Sequence, residues 1–185
     1  DLVPVKEKVV DYEEKKVVDV NVLIPASSIK GALAHRVAFH YNKLNGWFVG
    51  NEDAKVGNEN KAVQELFGYT SEDGQEKARG NVLFEDIIEN KSVSEKIFNH
   101  VSIDRFTGGA IDGALFSEKA TYAKGLSFTT TITLLKKDLG DSKILEAFES
   151  ALKDIVNGML PLGGATNKGY GCFRGTILKD GEEQK

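Results

Sequence analysis

Residues 17–44 read VVDVNVLIPASSIKGALAHRVAFHYNKL, and the change of pattern at Pro25 decides the fold class. Residues 17–24 are β-branched and partly alternating, which predicts a strand. Pro25 ends it, and Ser27 or Ser28 is a good N-cap for a helix beginning there. Ile29, Leu33, Val37, Tyr41 and Leu44 then recur every three or four residues, so a helix of about four turns is expected. Asn45-Gly46 stops it. Downstream, a short helix is expected over 61–67 with Gly68 as its C-cap, and the polar residues 70–79 read as a loop. Residues 81–87 (NVLFEDI) form a strand candidate, and 127–135 (SFTTTITLL) alternate most cleanly of all. Asp141 or Ser142 caps a helix carrying Ile144, Leu145, Phe148, Leu152, Ile155 and Val156 on one face, and a last strand is expected over 172–178. The order strand–helix–strand–strand–helix–strand is the ferredoxin-like plan of an α+β domain, a sheet with helices on one face.

The chain has 185 residues, which fits a single domain over 1–185. Hydrophobic residues make up 41% and charged residues 28%, a balance that excludes disordered and fibrous classes. No run approaches the roughly 18 apolar residues of a membrane span. No basic, apolar leader is visible, so the expected compartment is the cytoplasm. Cys172 is the one cysteine and cannot form an internal disulfide; with three scattered histidines it cannot build a Cys/His zinc cluster. The chain opens on Asp1, so it reads as a fragment or a subset of a longer protein.

A net charge of −4 argues at first against a polyanionic partner, but the charges are segregated. Residues 20–51 contain no acid while holding Lys30, Arg36 and Lys43. Residues 155–179 again contain none, with Lys168, Arg174 and Lys179. Eleven of the 28 acids lie between Glu52 and Glu95. Polyanion binding responds to the local field rather than to the sum.

Three motifs carry chemistry. The first is IPASSIKGALAHR, residues 24–36. Lys near a helix N-terminus is disfavoured by the dipole, and Gly31 costs about 1 kcal/mol against Ala. Both make sense where amides, the Ser27 and Ser28 cap and Lys30 meet a phosphate. A solvent-facing Lys30 and a tight helix–sheet contact at Gly31 are the bland explanation. The second is GGATNKGYGCFRG, residues 163–175, whose glycines permit positive φ and present successive amides to an anion. Tyr170 offers a ring for a base, and Lys168 and Arg174 tilt the balance towards a nucleic-acid backbone. The loop lacks the spacing of a nucleotide-binding P-loop or a dinucleotide fold, and a long glycine turn explains it without a ligand. The third is HVSIDRFTGGAIDGALF, residues 100–116, a hairpin-like excursion whose Phe106, Ile111, Leu115 and Phe116 have no evident place in a core. Exposed apolar elements of this kind touch partners; a buried, bulged hairpin is the alternative.

Taken in this order, the motifs resemble the RAMP superfamily of CRISPR-associated proteins, and within it the backbone subunit of type III effector complexes. IPASSIKGALAHR is similar to the family signature IPGSSLKG(A)xR, with Ala26 where Gly is usual. LFG at 66–68 and ARGNVLFEDI at 78–87 resemble the segment after it. VSIDRFTGGAIDGALF resembles the central Asp-Arg element, and LGGATNKGYGCFRG the C-terminal glycine-rich loop.

The resemblance implies an RRM-like ferredoxin domain with a thumb hairpin insertion, polymerising beside neighbouring RAMP subunits along CRISPR RNA. Ser27, Ser28, Lys30, Arg36, Lys168, Tyr170 and Arg174 are then the expected RNA-binding residues. Asp104, Arg105, Phe106, Ile111 and Leu115 belong to the thumb, which enters the guide–target duplex and displaces a nucleotide. It further implies that a loop Asp cuts target RNA with Mg²⁺ or another divalent metal. Counting back from Pro25, Asp11 in VVDYEEKK is the nearest match for that catalytic, metal-holding residue. The loop residues usual around it are not reproduced, and the family's opening strand is not recognisable. Two other functions share the superfamily. One is a metal-independent CRISPR RNA-processing endoribonuclease using a histidine, for which His35 and His40 are available. The other is a nuclease-dead backbone subunit that only binds RNA.

Overall fold

Pro25 stands between the strand and the helix as the sequence requires. The computed structural model describes residues 5–71, 73–89, 93–122, 125–135 and 139–184. In chain order the elements are β1 (Val5–Asp11), β2 (Lys16–Ile24), α1 (Ala26–Asn45), α2 (Lys61–Phe67), β3 (Gly68–Thr70), β4 (Lys77–Arg79) and β5 (Val82–Phe84). There follow β6 (Ile87–Glu89), β7 (Ser94–His100), β8 (Phe116–Tyr122), β9 (Ile132–Leu134), α3 (Ser142–Val156), β10 (Ile177–Lys179) and β11 (Glu182–Gln184). The chain is α+β, and the order β2–α1–β5–β9–α3–β10 is the ferredoxin-like one, with the β7–β8 hairpin inserted in its middle.

The described residues group into two compact units. One, residues 1–24 and 86–129, is made of strands. β1 pairs antiparallel with β2, from Val5 opposite Leu23 to Asp11 opposite Lys16, and β2 pairs on its other edge with β6. β7 and β8 form a separate hairpin in continuous register, from Ser94 opposite Tyr122 to His100 opposite Phe116.

The second unit, residues 25–85 and 130–185, holds the three helices. α1 packs on α3 and on α2. Ile29, Leu33, Val37, Ala38 and Tyr41 of α1 are buried, as are Ile144, Ala147, Phe148 and Ala151 of α3 and Val63, Leu66 and Phe67 of α2. Each large apolar side chain taken fully from water contributes about 1.5–3 kcal/mol. The caps explain where the helices begin and end. The Asn60 side chain accepts from the amides of Ala62 and Val63 to start α2. Asp141 accepts from the Lys143 amide to start α3, and also takes the Tyr41 hydroxyl at 2.9 Å. Gly46, at φ 71°, closes α1, where the Trp47 amide donates to the Asn42 carbonyl at 2.9 Å.

Several expectations are corrected. α1 begins at Ala26 with Pro25 as N-cap and no side-chain cap, so Ser27 and Ser28 lie inside the first turn and Lys30 and Gly31 in the second. Pro tolerates that place because its missing amide hydrogen would have no helical partner. A Cβ on Gly31 would meet nothing within 4 Å, so no tight contact requires the glycine. The expected strand over 81–87 is two strands broken at Glu85-Asp86: β5 pairs with β9, and β6 turns to pair with β2. The strand expected over 127–135 shrinks to Ile132–Leu134, because β5 offers only three partner residues. Beyond them the pairing thins to the Glu85 amide on Thr131 and the Thr130 hydroxyl on the Glu85 carbonyl. The last strand starts at Ile177 rather than Cys172 and pairs with β11. Residues 70–79 are a β3–β4 hairpin rather than a loop.

Candidate nucleic-acid interface

The glycine-rich loop is a closed ring of backbone. The Leu162 amide donates to the Gly171 carbonyl at 3.0 Å, and Thr166–Lys168 form a single 3-10 turn between them. Ala165, Gly163, Gly169 and Gly171 all take positive φ, between 51° and 92°. A Cβ on Gly171 would overlap the Leu162 carbonyl, so only glycine closes this ring. Lys168 and Arg174 are exposed and Tyr170 is half-buried, in keeping with an outward-facing loop.

Arg36 is placed differently from the other expected contacts. Its Nε donates to Asp154 Oδ2, its Nη2 reaches the Met159 carbonyl at 3.5 Å, and its guanidinium lies 5.1 Å from the Phe39 ring centre. His40 Nε2 sits 2.7 Å from the same Asp154 oxygen. Burial opposes ionisation of Asp154, but hydrogen bonds from His40 and Arg36 and the Arg36 charge outweigh it and hold the carboxyl below the usual carboxylate range. Arg36 therefore ties α1 to α3 and to the start of the glycine-rich loop. His40 is engaged in the same cluster, whereas His35 is exposed. Asp154 escaped the sequence reading. Its signal is an acid on the buried face of α3, two turns beyond Ala147 and one beyond Ala151, matched by Arg36 and His40 one turn apart on α1.

Ser27, Ser28 and Lys30 are exposed on the first turns of α1, which carry no acid. Lys30 opens onto a shallow depression walled by Tyr69 and Arg79 of the β3–β4 hairpin, with no residue of the glycine-rich loop in its lining.

The tip of the β7–β8 hairpin is built by Asp104. Its Oδ1 accepts from the amides of Phe106 at 2.7 Å and Thr107 at 2.9 Å, and its own amide donates to the Gly109 carbonyl. The Thr107 and Phe106 amides hold the Asp104 carboxyl below its usual range. Gly108, at φ 69°, makes the reversal, and Ile103 bridges Ala110 across it. The result is an apolar tip facing water: Phe106 is 92% exposed and Leu115 71%, with Ile103 and Ile111 about half exposed. Arg105 and Asp112 are exposed beside them.

Asp11 ends β1 at the β1–β2 turn. Its Oδ1 accepts from the amides of Glu13 at 3.0 Å and Glu14 at 3.1 Å, an Asx turn that sets the reversal. The charged residues after it, Glu13 to Lys16, are exposed, while Asp11 itself is half-buried.

No curated protein matches the chain. A chain in the cryo-EM structure of the Type III-B Cmr-beta bound to cognate target RNA is similar to it at 19% identity with a TM-score of 0.46. The match covers 89% of this chain and 45% of that one, so this chain spans less than half the length of that relative. The RAMP superfamily model matches residues 5–174. That span runs without a break from β1 through the α1 signature and the hairpin tip to Arg174 of the glycine-rich segment, and the chain belongs to the RAMP superfamily.

Proposed function

We propose that this chain is an RNA-binding backbone subunit of a type III CRISPR effector complex in the cytoplasm, lying along CRISPR RNA beside neighbouring RAMP subunits and meeting target RNA with its thumb. The observation that carries this reading is the thumb tip, which presents Phe106 and Leu115 to solvent on a turn fixed by Asp104. An apolar side chain inserted at a base step offsets part of the unstacking cost, about a few kcal/mol per step. The glycine-rich ring with Lys168, Tyr170 and Arg174, and the acid-free start of α1, support the guide-binding half. A structure of the assembled complex on matched target RNA tests it: a nucleotide displaced beside Phe106 is expected. A duplex running past the tip undisturbed removes the reading.

For cleavage the candidate is Asp11. One of its oxygens is used by turn amides. Among the described residues no group of three or more His, Cys, Asp or Glu side chains is placed to hold a metal. A Mg²⁺ ion binds through one or two carboxylates plus substrate phosphates, so Asp11 fits as a single protein ligand with RNA supplying others. Such an ion would polarise the scissile phosphate or activate the attacking oxygen. The second reading, a subunit that binds RNA without cutting it, is favoured by the same hydrogen bonds, since they give Asp11 a structural reason to be present. Asp11→Ala in an assembled complex separates the two. Loss of Mg²⁺-dependent cleavage with target affinity held within about threefold supports catalysis; cutting at the wild-type rate assigns Asp11 to the turn alone.

A further inference from the structure

Both arms of the glycine-rich loop are anchored at one place, the C-terminal end of α3. The last four carbonyls of a helix have no partner within it, and in α3 all four are taken by the chain that follows. The Lys153 carbonyl accepts from the Asn157 amide and the Ile155 carbonyl from Gly158. The Asp154 carbonyl accepts from Met159 at 2.8 Å and Leu160 at 3.0 Å, and the Val156 carbonyl from Gly175 at 3.0 Å on the returning arm. Of these four residues Asp154 is the buried one. Its carboxylate receives Arg36 and stands 2.7 Å from His40 Nε2, and Arg36 reaches on to the Met159 carbonyl. Asp154 thus fixes Met159 twice. Its own carbonyl holds the Met159 amide, and its carboxylate aims the guanidinium at the Met159 carbonyl. Leu162, which opens the ring, follows three residues later. Arg36 is also the least exposed of the cations expected at RNA, since Lys30, Lys168 and Arg174 all face water.

We propose that Asp154 is a positioning residue for RNA binding: acting through Arg36, it fixes the glycine-rich loop against α1 and so places Lys168 and Arg174, while neither Asp154 nor Arg36 touches RNA. The proposal rests on the RNA-binding reading above and moves Arg36 from the contacts to their support. A planar guanidinium can serve a carboxylate and a carbonyl at once, which the point charge of a lysine cannot do with the same geometry. Bonds to an ionised carboxylate are roughly twice as strong as neutral ones, so an amide in its place loosens the junction while keeping its volume. A loop held before RNA arrives loses less freedom on binding, and that saving appears as affinity without any added contact.

The test joins two measurements on the full chain. One is the mobility of a nitroxide on Cys172, the one cysteine, which is exposed and follows Gly171 of the ring. The other is binding of a fluorescently labelled single-stranded oligouridylate to unlabelled protein over a range of salt. Asp154→Asn is expected to mobilise the nitroxide and to weaken RNA binding about fivefold. The salt slope should stay unchanged, because no phosphate contact is lost. Arg36→Gln should reproduce these effects, and the double variant should bind no worse than either single one, since the two residues act as a unit. Arg36→Lys, which keeps the charge, should not restore affinity. Lys168→Gln should instead lower the slope by about one unit and leave the nitroxide as in the wild type. Urea midpoints show which variants are folded, and Arg36→Gln carries the test if Asp154→Asn does not fold. A nitroxide unmoved by both variants, or an RNA affinity unchanged while it is mobilised, overturns this proposal and leaves the RNA-binding reading standing. A slope lowered by about one unit in Arg36→Gln and restored in Arg36→Lys makes Arg36 a phosphate contact and overturns it as well. A wild-type chain that does not bind the oligouridylate removes the broader reading and this proposal with it.

Discussion

Leu33 on α1 and Phe106 at the thumb tip are both large apolar residues; the first is fully buried and the second 92% exposed. Around Leu33 the helices supply a repeating face, with Val37, Ile144 and Phe148 all buried. Around Phe106 there is a backbone turn held by polar contacts: the Asp104 carboxylate, the Thr107 hydroxyl and the Gly108 reversal. The core is thus stabilised by apolar area removed from water, whereas the tip is shaped by hydrogen bonds so that apolar area stays in water. Composition alone does not distinguish these uses. What distinguishes them is whether the apolar residues recur at a period that gathers them on one side.

The largest effect that could break this contrast is at Leu33. Leu33→Ala should cost about 3–4 kcal/mol in urea unfolding, since a fully enclosed site leaves a cavity; a cost below about 1 kcal/mol would mean that the helices do not form the core described. Next comes Asp154, the polar member of that core. Asp154→Ala should cost about 2–3 kcal/mol, because Arg36 is left half-buried without its carboxylate. The pH dependence is set by the sign of its shift. The folded carboxyl ionises below the unfolded one, so its contribution is full above the unfolded value of about 4 and is lost as pH falls through the lower folded value. Asp154→Asn should flatten the acid limb of the stability curve; an unchanged limb would assign the acid sensitivity to other carboxylates. The smallest effect is expected at the tip. Phe106→Ala should change stability by no more than about 0.5 kcal/mol, while altering nucleotide displacement in an assembled complex. A large stability loss would mean that Phe106 is packed after all.

The helices were legible because their signals are local. The Leu33–Val37–Tyr41 stripe, the Asp141 cap and the terminal Gly46 and Gly68 each act within a turn or two of the chain. The strands were legible only as tendencies. Phe128 and Thr130 continue the alternation of Ile132 and Leu134, but a strand needs a partner, and β5 ends at Phe84. The β3–β4 hairpin was hidden by its polar sequence, and with it the depression that Tyr69 and Arg79 line together with Lys30, which is distant in the chain. Asp154 was hidden for the same reason, since its partners are on another helix. The thumb was readable because glycine and Asp-Arg-Phe-Thr stood where no period could bury the aromatic residue; its long paired arms, β7 and β8, were not.

The ring closed between Leu162 and Gly171 has a consequence for how this protein tolerates change. Its stem is fixed by one backbone hydrogen bond and by a position that accepts no side chain. The exposed residues Thr166 and Asn167 inside it sit on the single 3-10 turn that the stem encloses. Thr166 and Asn167 can be exchanged at little cost to folding, whereas Gly163 and Gly169, both at positive φ, have to be kept together with the stem. Change can therefore accumulate at those two positions without passing through unstable intermediates, whereas a change at Gly171 would be lost at the first step.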